Sequence, residues 1–432
     1  MPRQYKLSSV RQYGRLWVSI VAALVTVCFS IANVAATAGD WPQILGPNRN
    51  GHAPDERLRD KWPAAGPEVA WRFELGSGFA GPVVAGSRVV VFHRVGDHER
   101  IEAIDAGSGK SLWHTDFPAS YRGTINPDSG PRATPVIFGD AVFAYGAAGD
   151  MHCVALADGR ERWSRNLLED FEGDQGYFGA GSSPIVADGK LLVNVGGRDD
   201  AGLVALSLAN GSTVWKRTDE RASYSSPTLT RLGDQTRAIF VTRLSTVGVD
   251  PANGGVAFEF PFGQRGPTVN GATPLVFGDH LFVTASYGVG ARYAKLTADS
   301  AKVIWSSDEV LSSQYTTPVF HDGFLYGTHG REDVGVAELR CVEAASGKVR
   351  WSRDEFGVAH ALLVGDQLLL LTIDGRLTVA PATPKAFTPI ASWSISQNIV
   401  RAVPALANGR LYLRDNRNDN GTLFALRVGE DR

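Results

Sequence analysis

The sequence predicts an all-β protein, an eight-bladed β-propeller of four-stranded antiparallel blades, and three observations predict it. A turn followed by an aromatic residue, as in "GKSLW" (Gly109–Trp113), recurs eight times at intervals of 42 to 52 residues. A step of two small residues and a proline runs in phase with that marker. The two ends of the chain supply complementary parts of one repeat. A period of this length, without long helical patterns, is typical of one propeller blade.

The eight aromatic markers each follow a turn, and we place them on the outermost strand of a blade. They are Trp71, Trp113, Trp163, Trp215, Phe258, Trp305, Trp351 and Trp393. One of the turns contains "GSGKS" (Gly107–Ser111), which looks like the centre of a phosphate-binding loop. Pro118 follows too soon for the helix that such a loop requires. We therefore interpret the stretch as a hairpin turn, which excludes a nucleotide site there.

The second marker opens the innermost strand of each blade. Its prolines are Pro82, Pro135, Pro184, Pro227, Pro274, Pro318 and Pro404, and the seventh blade, near Ala361, lacks one. Each step is followed by an apolar strand, a turn rich in Gly, Asp or Asn, and a further strand. Such turn residues supply the backbone conformations that tight hairpins need.

The chain ends predict how the ring closes. The last repeat supplies three strands and stops, whereas the first begins with a surplus strand around Trp71. We expect this N-terminal strand to pair with the C-terminal blade, because closure removes exposed strand edges. The propeller then occupies residues 69–430, after an N-terminal extension at residues 39–68.

The first 38 residues predict export. A basic start precedes an apolar run from Leu16 to Ala36, and Ala36-Thr37-Ala38 fits signal peptidase. The run is also long enough to be kept as an uncleaved anchor, and this alternative stays open. We expect a periplasmic or secreted protein that meets a membrane only through this segment. Its removal takes the formal charge from −2 to −6, which argues against nucleic acid as a partner.

The remaining cysteines and the histidines do not indicate a metal site or a nucleophile. Cys153 and Cys341 fall in blades on opposite sides of the ring, too far apart for a disulfide. The histidines lack the spacing of a zinc site, and no serine hydrolase element is present. We predict no metal and identify no catalytic residue.

Two repeats lie close to a known consensus. "VALSLANGSTVW" (Val204–Trp215) and "CVEAASGKVRW" (Cys341–Trp351) resemble the pyrroloquinoline quinone (PQQ) repeat, and so does the chain from about residue 69 onwards. "WPQILGPNRNG" (Trp41–Gly51) resembles the opening of exported bacterial members of this family. The resemblance implies either a quinoprotein dehydrogenase, which holds PQQ and usually Ca²⁺, or a cofactor-free propeller similar to the outer-membrane assembly lipoprotein. The chain lacks the adjacent cysteines of the alcohol dehydrogenases.

The residue three positions before each proline is expected to ring the central funnel. These residues are Phe79, Arg132, Gly181, Tyr224, Gly271, Tyr315, Val358 and Arg401. Two arginines and three aromatic residues suit a planar anion such as PQQ. The alternative is that they plug the funnel, with the arginines paired to acids such as Asp128. Asn126, Asp128 and Tyr177, in the two longest loops, are further candidates for ligand contact, or are simply solvated.

These features predict a non-catalytic binding or scaffold module of the cell envelope. We expect a monomer, with no cofactor, whose partner at the propeller face is an envelope protein, a glycan or a small molecule. The alternative hypothesis is a PQQ-dependent dehydrogenase that oxidises an alcohol or a sugar.

Overall fold

The computed structural model describes residues 39–123, 125 and 128–430, and within them the predicted fold is confirmed. The described strands form eight four-stranded antiparallel sheets, one per blade. One short helix, α1 (Leu167–Asp170), lies between the second and third blades. No helix in the described part of the chain is both long enough and apolar enough to cross a bilayer. The expected signal peptide or anchor, residues 1–38, lies outside the described residues.

In blades 1 to 7, chain order runs from the innermost strand to the outermost. The first strand, β1 (Val69–Gly76), is the outermost strand of blade 8. Blades 1 to 4 contain β2 (Val83–Ala85), β3 (Arg88–Val95), β4 (His98–Asp105), β5 (Ser111–Pro118), β6 (Val136–Phe138), β7 (Ala141–Tyr145), β8 (Asp150–Ala155), β9 (Glu161–Asn166), β10 (Ile185–Ala187), β11 (Lys190–Asn194), β12 (Leu203–Ser207), β13 (Thr213–Arg217), β14 (Thr228–Leu232), β15 (Gln235–Val241), β16 (Ser245–Val249) and β17 (Val256–Pro261). Blades 5 to 8 contain β18 (Leu275–Phe277), β19 (His280–Ala285), β20 (Gly290–Thr297), β21 (Ser300–Ser307), β22 (Val319–His321), β23 (Phe324–Arg331), β24 (Val336–Glu343), β25 (Lys348–Arg353), β26 (Ala359–Val364), β27 (Gln367–Thr372), β28 (Arg376–Pro381), β29 (Ala391–Ser394), β30 (Ala405–Ala407), β31 (Arg410–Arg417) and β32 (Asn420–Arg427).

The N-terminal strand closes the ring, as predicted. β1 pairs antiparallel with β32, and Phe73 lies opposite Leu423. Blade 8 therefore combines three strands from the end of the chain with one strand from the start. Apolar side chains from neighbouring blades pack together, as Val90 and Phe92 do with Val142. Because each sheet buries its faces against the next blade, the hydrophobic core is distributed around the ring.

Six of the tryptophan markers join their blade to the next one. The Trp163 indole Nε1 donates to the carbonyl oxygen of Leu208, 3.0 Å away in the following blade. The same contact is made by Trp71, Trp113, Trp215, Trp305 and Trp351 with Ala106, Leu156, Pro251, Ala344 and Thr383. The accepting turn packs its glycine on the indole, and a Cβ at Gly109 would lie 2.7 Å from the Trp71 ring. The "GSGKS" stretch is thus the predicted hairpin turn, with Gly109 at a φ of 71°.

The proline steps form a second belt of contacts nearer the axis. The residue just before the proline donates its N–H to the hydroxyl of its counterpart in the next blade. These bonds join Gly81 to Thr134, Thr134 to Ser183, Ser183 to Ser226, and Thr273 to Thr317, at 2.9 to 3.1 Å. A small hydroxyl residue at this position satisfies a buried backbone donor, which explains the sequence pattern.

The N-terminal extension runs into the central channel and plugs one end of it. Trp41 exchanges backbone hydrogen bonds with Val84 on the inner edge of β2, and Gly51 accepts one from Leu363 in β26. Arg49 is 1% exposed, and its guanidinium donates to the carbonyl oxygens of Pro184 and Pro227. The extension therefore covers inner edges of β2 and β26 that would otherwise be unpaired at this end of the channel.

Candidate functional site

The two faces of the propeller differ in what they present. The tight turns between first and second strands, and between third and fourth strands, lie on the face that the N-terminal extension covers. The remaining connections form the other face, which we call the loop face. The predicted funnel residues lie at this loop end of the channel, because each precedes the innermost strand of its blade.

The structure brings Phe79, Arg132 and Arg401 together. The guanidinium carbon of Arg132 lies 5.7 Å from the Phe79 ring centre and 5.4 Å from that of Tyr121. The Arg401 guanidinium carbon lies 5.4 Å from the same Phe79 ring. Phe79 therefore contacts both predicted arginines through its π-system. The cationic part of the ring lies across blades 1, 2 and 8.

Arg401 is neutralised by an acidic residue from another blade, Glu332. Glu332, between β23 and β24, accepts hydrogen bonds from both Nε, at 3.0 Å, and Nη2 of Arg401. The Tyr315 hydroxyl donates to the same carboxylate at 2.8 Å. Burial acts against the charge of Arg401, but its hydrogen bonds to Glu332 raise its pKa overall. Burial and the nearby Glu332 raise the pKa of Tyr315.

His360 is a further member of this side of the ring that sequence reasoning missed. Its ring lies 6.3 Å from the Tyr315 ring, and its Nε2 lies 2.8 Å from the Arg401 carbonyl oxygen. Burial lowers the pKa of His360 to about 4, so that it is neutral at physiological pH. The sequence did offer one signal for His360. It lies in the seventh blade, the one blade in which the step of two small residues and a proline lacks the proline.

Tyr224 continues the ring on the other side, next to a required glycine. A Cβ at Gly181 would lie 2.8 Å from the Tyr224 ring and 3.5 Å from Cβ of Arg132. Gly181 thus allows Tyr224 and Arg132 to approach each other. Gly271 has the same relation to Tyr315, whose Cβ would lie 2.7 Å from an added Cβ. Val358, the seventh-blade position, is buried.

The loop candidates take different positions. Asp128 is buried, and its Oδ1 lies 3.8 Å from Nη1 of Arg132. It also accepts from the N–H groups of Gly78 and Gly130 and from Nδ2 of Asn416. Tyr177 is 37% exposed on the loop face, and its neighbour Phe178 donates its N–H to the Tyr224 hydroxyl at 2.9 Å. Asn126 lies outside the described residues.

A buried carboxylate, Glu99, lies near Arg132 and Arg94 and has no sequence signal. It is 1% exposed, and its Oε1 accepts from the Ala147 N–H at 3.0 Å. Burial raises the pKa of Glu99 to about 7, while the nearby Arg94 and Arg132 oppose that rise. The charge of Glu99 therefore changes near neutral pH.

The ring residues do not fit PQQ, because the cationic donors already have protein acceptors. Arg401 is bound to Glu332, and Arg132 donates to the carbonyl oxygens of Asp128 and Gly130. A planar tricarboxylate would need these donors free. Among residues 39–430 as described, no group of three or more His, Cys, Asp or Glu side chains has the placement of a metal site. Cys153 and Cys341 are buried and unbridged.

Around the ring, the loop face carries exposed apolar side chains. They are Val95, Ile125, Tyr177, Val334 and Ile399, which are 40%, 62%, 37%, 57% and 44% exposed. They come from loops of blades 1, 6 and 8 and from the two longest loops. We call these five side chains the apolar rim; they lie on the same face as Phe79, Arg132 and Tyr121, and aromatic residues and arginine are enriched at protein interfaces.

Comparison with known proteins gives matches in two groups. The family model described as "Outer membrane protein assembly factor BamB" matches residues 97–353. BamB of Alkalilimnicola ehrlichii is 31% identical over 143 residues, which cover 32% of each chain. BamB of Salmonella typhimurium is 24% identical over 325 residues, covering 69% of this chain and 74% of that protein. The quinohemoprotein alcohol dehydrogenase of Comamonas testosteroni superposes with a TM-score of 0.63 at 15% identity, over 93% of this chain and 82% of the other. The structural likeness concerns the fold alone.

Proposed function

The chain belongs to the family described as outer membrane protein assembly factor BamB, and we propose that it is a non-catalytic scaffold of the cell envelope that takes part in outer membrane protein assembly. We place its docking surface on the loop face. The observation that carries the proposal is the apolar rim around a ring whose charged groups already have partners inside the protein.

The composition of the loop face supports a protein partner. Tyr177 and Val334 offer apolar area, while Arg132 lies between Phe79 and Tyr121 at the centre. Aromatic residues and arginine contribute most of the binding energy at protein interfaces. Because the exposed rim is largely aliphatic, a protein surface suits it better than a glycan, which would need exposed polar groups.

The closed channel supports binding at a surface rather than chemistry in a cavity. Arg49 and Trp41, both 1% exposed, occupy the channel from the opposite face. We propose that the protein is exported by residues 1–38 to the periplasm and acts there as a monomer. The mature chain then begins at Gly39, which N-terminal sequencing of the envelope fraction checks.

Site-specific photo-crosslinking in the native host tests the proposal. A photoreactive phenylalanine replaces Tyr177 or Val334 on the loop face, and Lys110 or Asp158 in turns of the opposite face as matched controls. All four positions are exposed, so that exposure alone does not separate them. We expect adducts with another component of outer membrane protein assembly from the two loop-face positions only.

Two results would contradict this function. Adducts from the turn-face positions alone would move the docking surface to the other side. Unchanged levels of outer membrane proteins in a deletion strain, together with no loop-face adduct, would remove the assembly role itself.

A further inference from the structure

A small cavity of about 30 Å³ lies beneath the loop that contains Asp174–Gly181, next to the funnel ring. Blades 2 and 3 and the start of blade 4 contribute Tyr145, Asn194 and Tyr224 to its lining. Two of these side chains carry polar atoms that have no protein partner in the described part of the chain. The cavity is therefore small and partly polar.

Tyr145 and Asn194 occupy equivalent places, each at the end of the second strand of its blade. Tyr145 is 1% exposed, and its hydroxyl has no hydrogen-bond partner among the described residues. Asn194 is 2% exposed; its Nδ2 lies 3.5 Å from the Val241 carbonyl oxygen, and its Oδ1 is likewise unpartnered among them. Buried polar atoms of this kind are normally satisfied in folded proteins, because leaving them without a partner is costly.

Tyr224 adds a third polar group. Its hydroxyl oxygen accepts the Phe178 N–H at 2.9 Å, and its own proton remains available for another acceptor. The lining thus offers two hydroxyl donors, from Tyr145 and Tyr224, and one carbonyl acceptor, Oδ1 of Asn194. A water molecule can accept two hydrogen bonds and donate two, so that it matches this set.

We propose that this cavity is a binding site for one water molecule, which accepts from the Tyr145 and Tyr224 hydroxyls and donates to Asn194 Oδ1. The volume admits one water and is too small for a larger ligand. The water joins three successive blades at a single point under the loop. It thereby holds Tyr224, a ring residue, in its position at the funnel.

Crystal structures of the full chain and of two variants test this site, at a resolution that places ordered waters. Tyr145→Phe removes one proposed donor and keeps the ring. Tyr326→Phe is the matched control, because Tyr326 is also 1% exposed but lies in β23 of blade 6, outside the cavity. We expect one water in hydrogen-bond contact with Tyr145 Oη and Asn194 Oδ1 in the native protein and in Tyr326→Phe.

Hydrogen exchange provides a second readout on the same variants. In Tyr145→Phe, we expect the amides of Gly176–Gly181 to exchange about tenfold faster, as the loss of one net hydrogen bond would produce. Tyr326→Phe should leave those amides unchanged. A native cavity without a water, a water bonded to neither atom, or a larger molecule in its place would overturn the proposal.

Discussion

Three arginines show how single side chains set the properties of the channel. Arg132 and Arg401 have an acidic residue and an aromatic ring beside them at the loop end. Arg49 at the opposite end has carbonyl oxygens and the Gln43 amide as its acceptors. Burial lowers the pKa of Arg49 to about 9, which leaves it protonated at neutral pH. Its guanidinium therefore joins the extension to blades 3 and 4 by charge-assisted hydrogen bonds.

Replacing Arg49 with alanine should lower the free energy of unfolding by about 3 kcal/mol, because several buried carbonyl groups lose their donors. Arg49→Lys should recover less than half of the loss, since an ammonium cannot reach acceptors in several directions as a planar fork does. Urea denaturation measures both changes. The control is Arg57→Ala, an exposed arginine of the same extension, for which we expect a change within about 0.5 kcal/mol. Equal losses of stability in Arg49→Ala and Arg57→Ala would contradict the conclusion that Arg49 holds the extension in the channel.

Glu99 predicts a pH dependence with a definite sign. Burial raises its pKa in the folded protein to about 7, above the ordinary value of 4.5, so the folded state favours the protonated form. The stability this gives is fully present below pH 4.5 and is lost as the pH rises through 7, by about 3 kcal/mol in total. In Glu99→Gln the difference from the native protein should therefore grow in favour of the variant between pH 4.5 and 8. Urea denaturation across this range measures it, and a constant difference would contradict the assignment.

At the scale of elements, the tryptophan and the turn of the next blade form the repeated joint of this propeller. Trp163 both donates a hydrogen bond to Leu208 and packs against Gly211, where a Cβ would lie 2.7 Å from the indole. The sequence marks both halves of the joint, because the tryptophan and the turn glycine recur together. The tryptophan hydrogen bond recurs in six of the eight blades and therefore follows the period of the repeat.

Two glycines of blade 3 allow the effect of the indole contact to be measured apart from the effect of backbone conformation. Gly211 and Gly189 have φ values of 70° and 68°, but an added Cβ at Gly189 would meet nothing within 4 Å. Both alanine variants carry the same left-handed strain, and only Gly211→Ala also collides with Trp163. We expect Gly211→Ala to be the less stable of the two by about 2 kcal/mol, measured by thermal or urea denaturation. Equal losses would mean that the indole contact contributes nothing.

At the scale of the whole molecule, closure of the ring and the plug together leave one face for function. β1 and β32 close the circle, and the extension occupies the inner edges of β2 and β26. The loop face then carries the exposed apolar side chains and the funnel ring. A propeller sealed in this way is suited to hold a partner against one face.

The blade count, the closing strand and the funnel positions could be predicted, because each is a property of the repeat. The spacing of the repeats alone predicted that Phe79, Arg132 and Arg401 lie close together. The acceptors of the arginines could not be assigned, since Glu332 reaches Arg401 from another blade through loop geometry that the repeat does not specify. The position of Arg49 could not be predicted either, because the extension is not part of the repeat and no similar segment elsewhere in the chain indicates its course.

We infer that this propeller binds a partner and holds no quinone. Calorimetric titration of the chain beginning at Gly39 with PQQ, with and without Ca²⁺, tests this claim. We expect no saturable heat and no thermal shift, because Arg132 and Arg401 already donate to protein acceptors. Saturable micromolar binding that is lost in the Arg132→Ala, Arg401→Ala double variant would contradict the claim and establish the funnel as a quinone site.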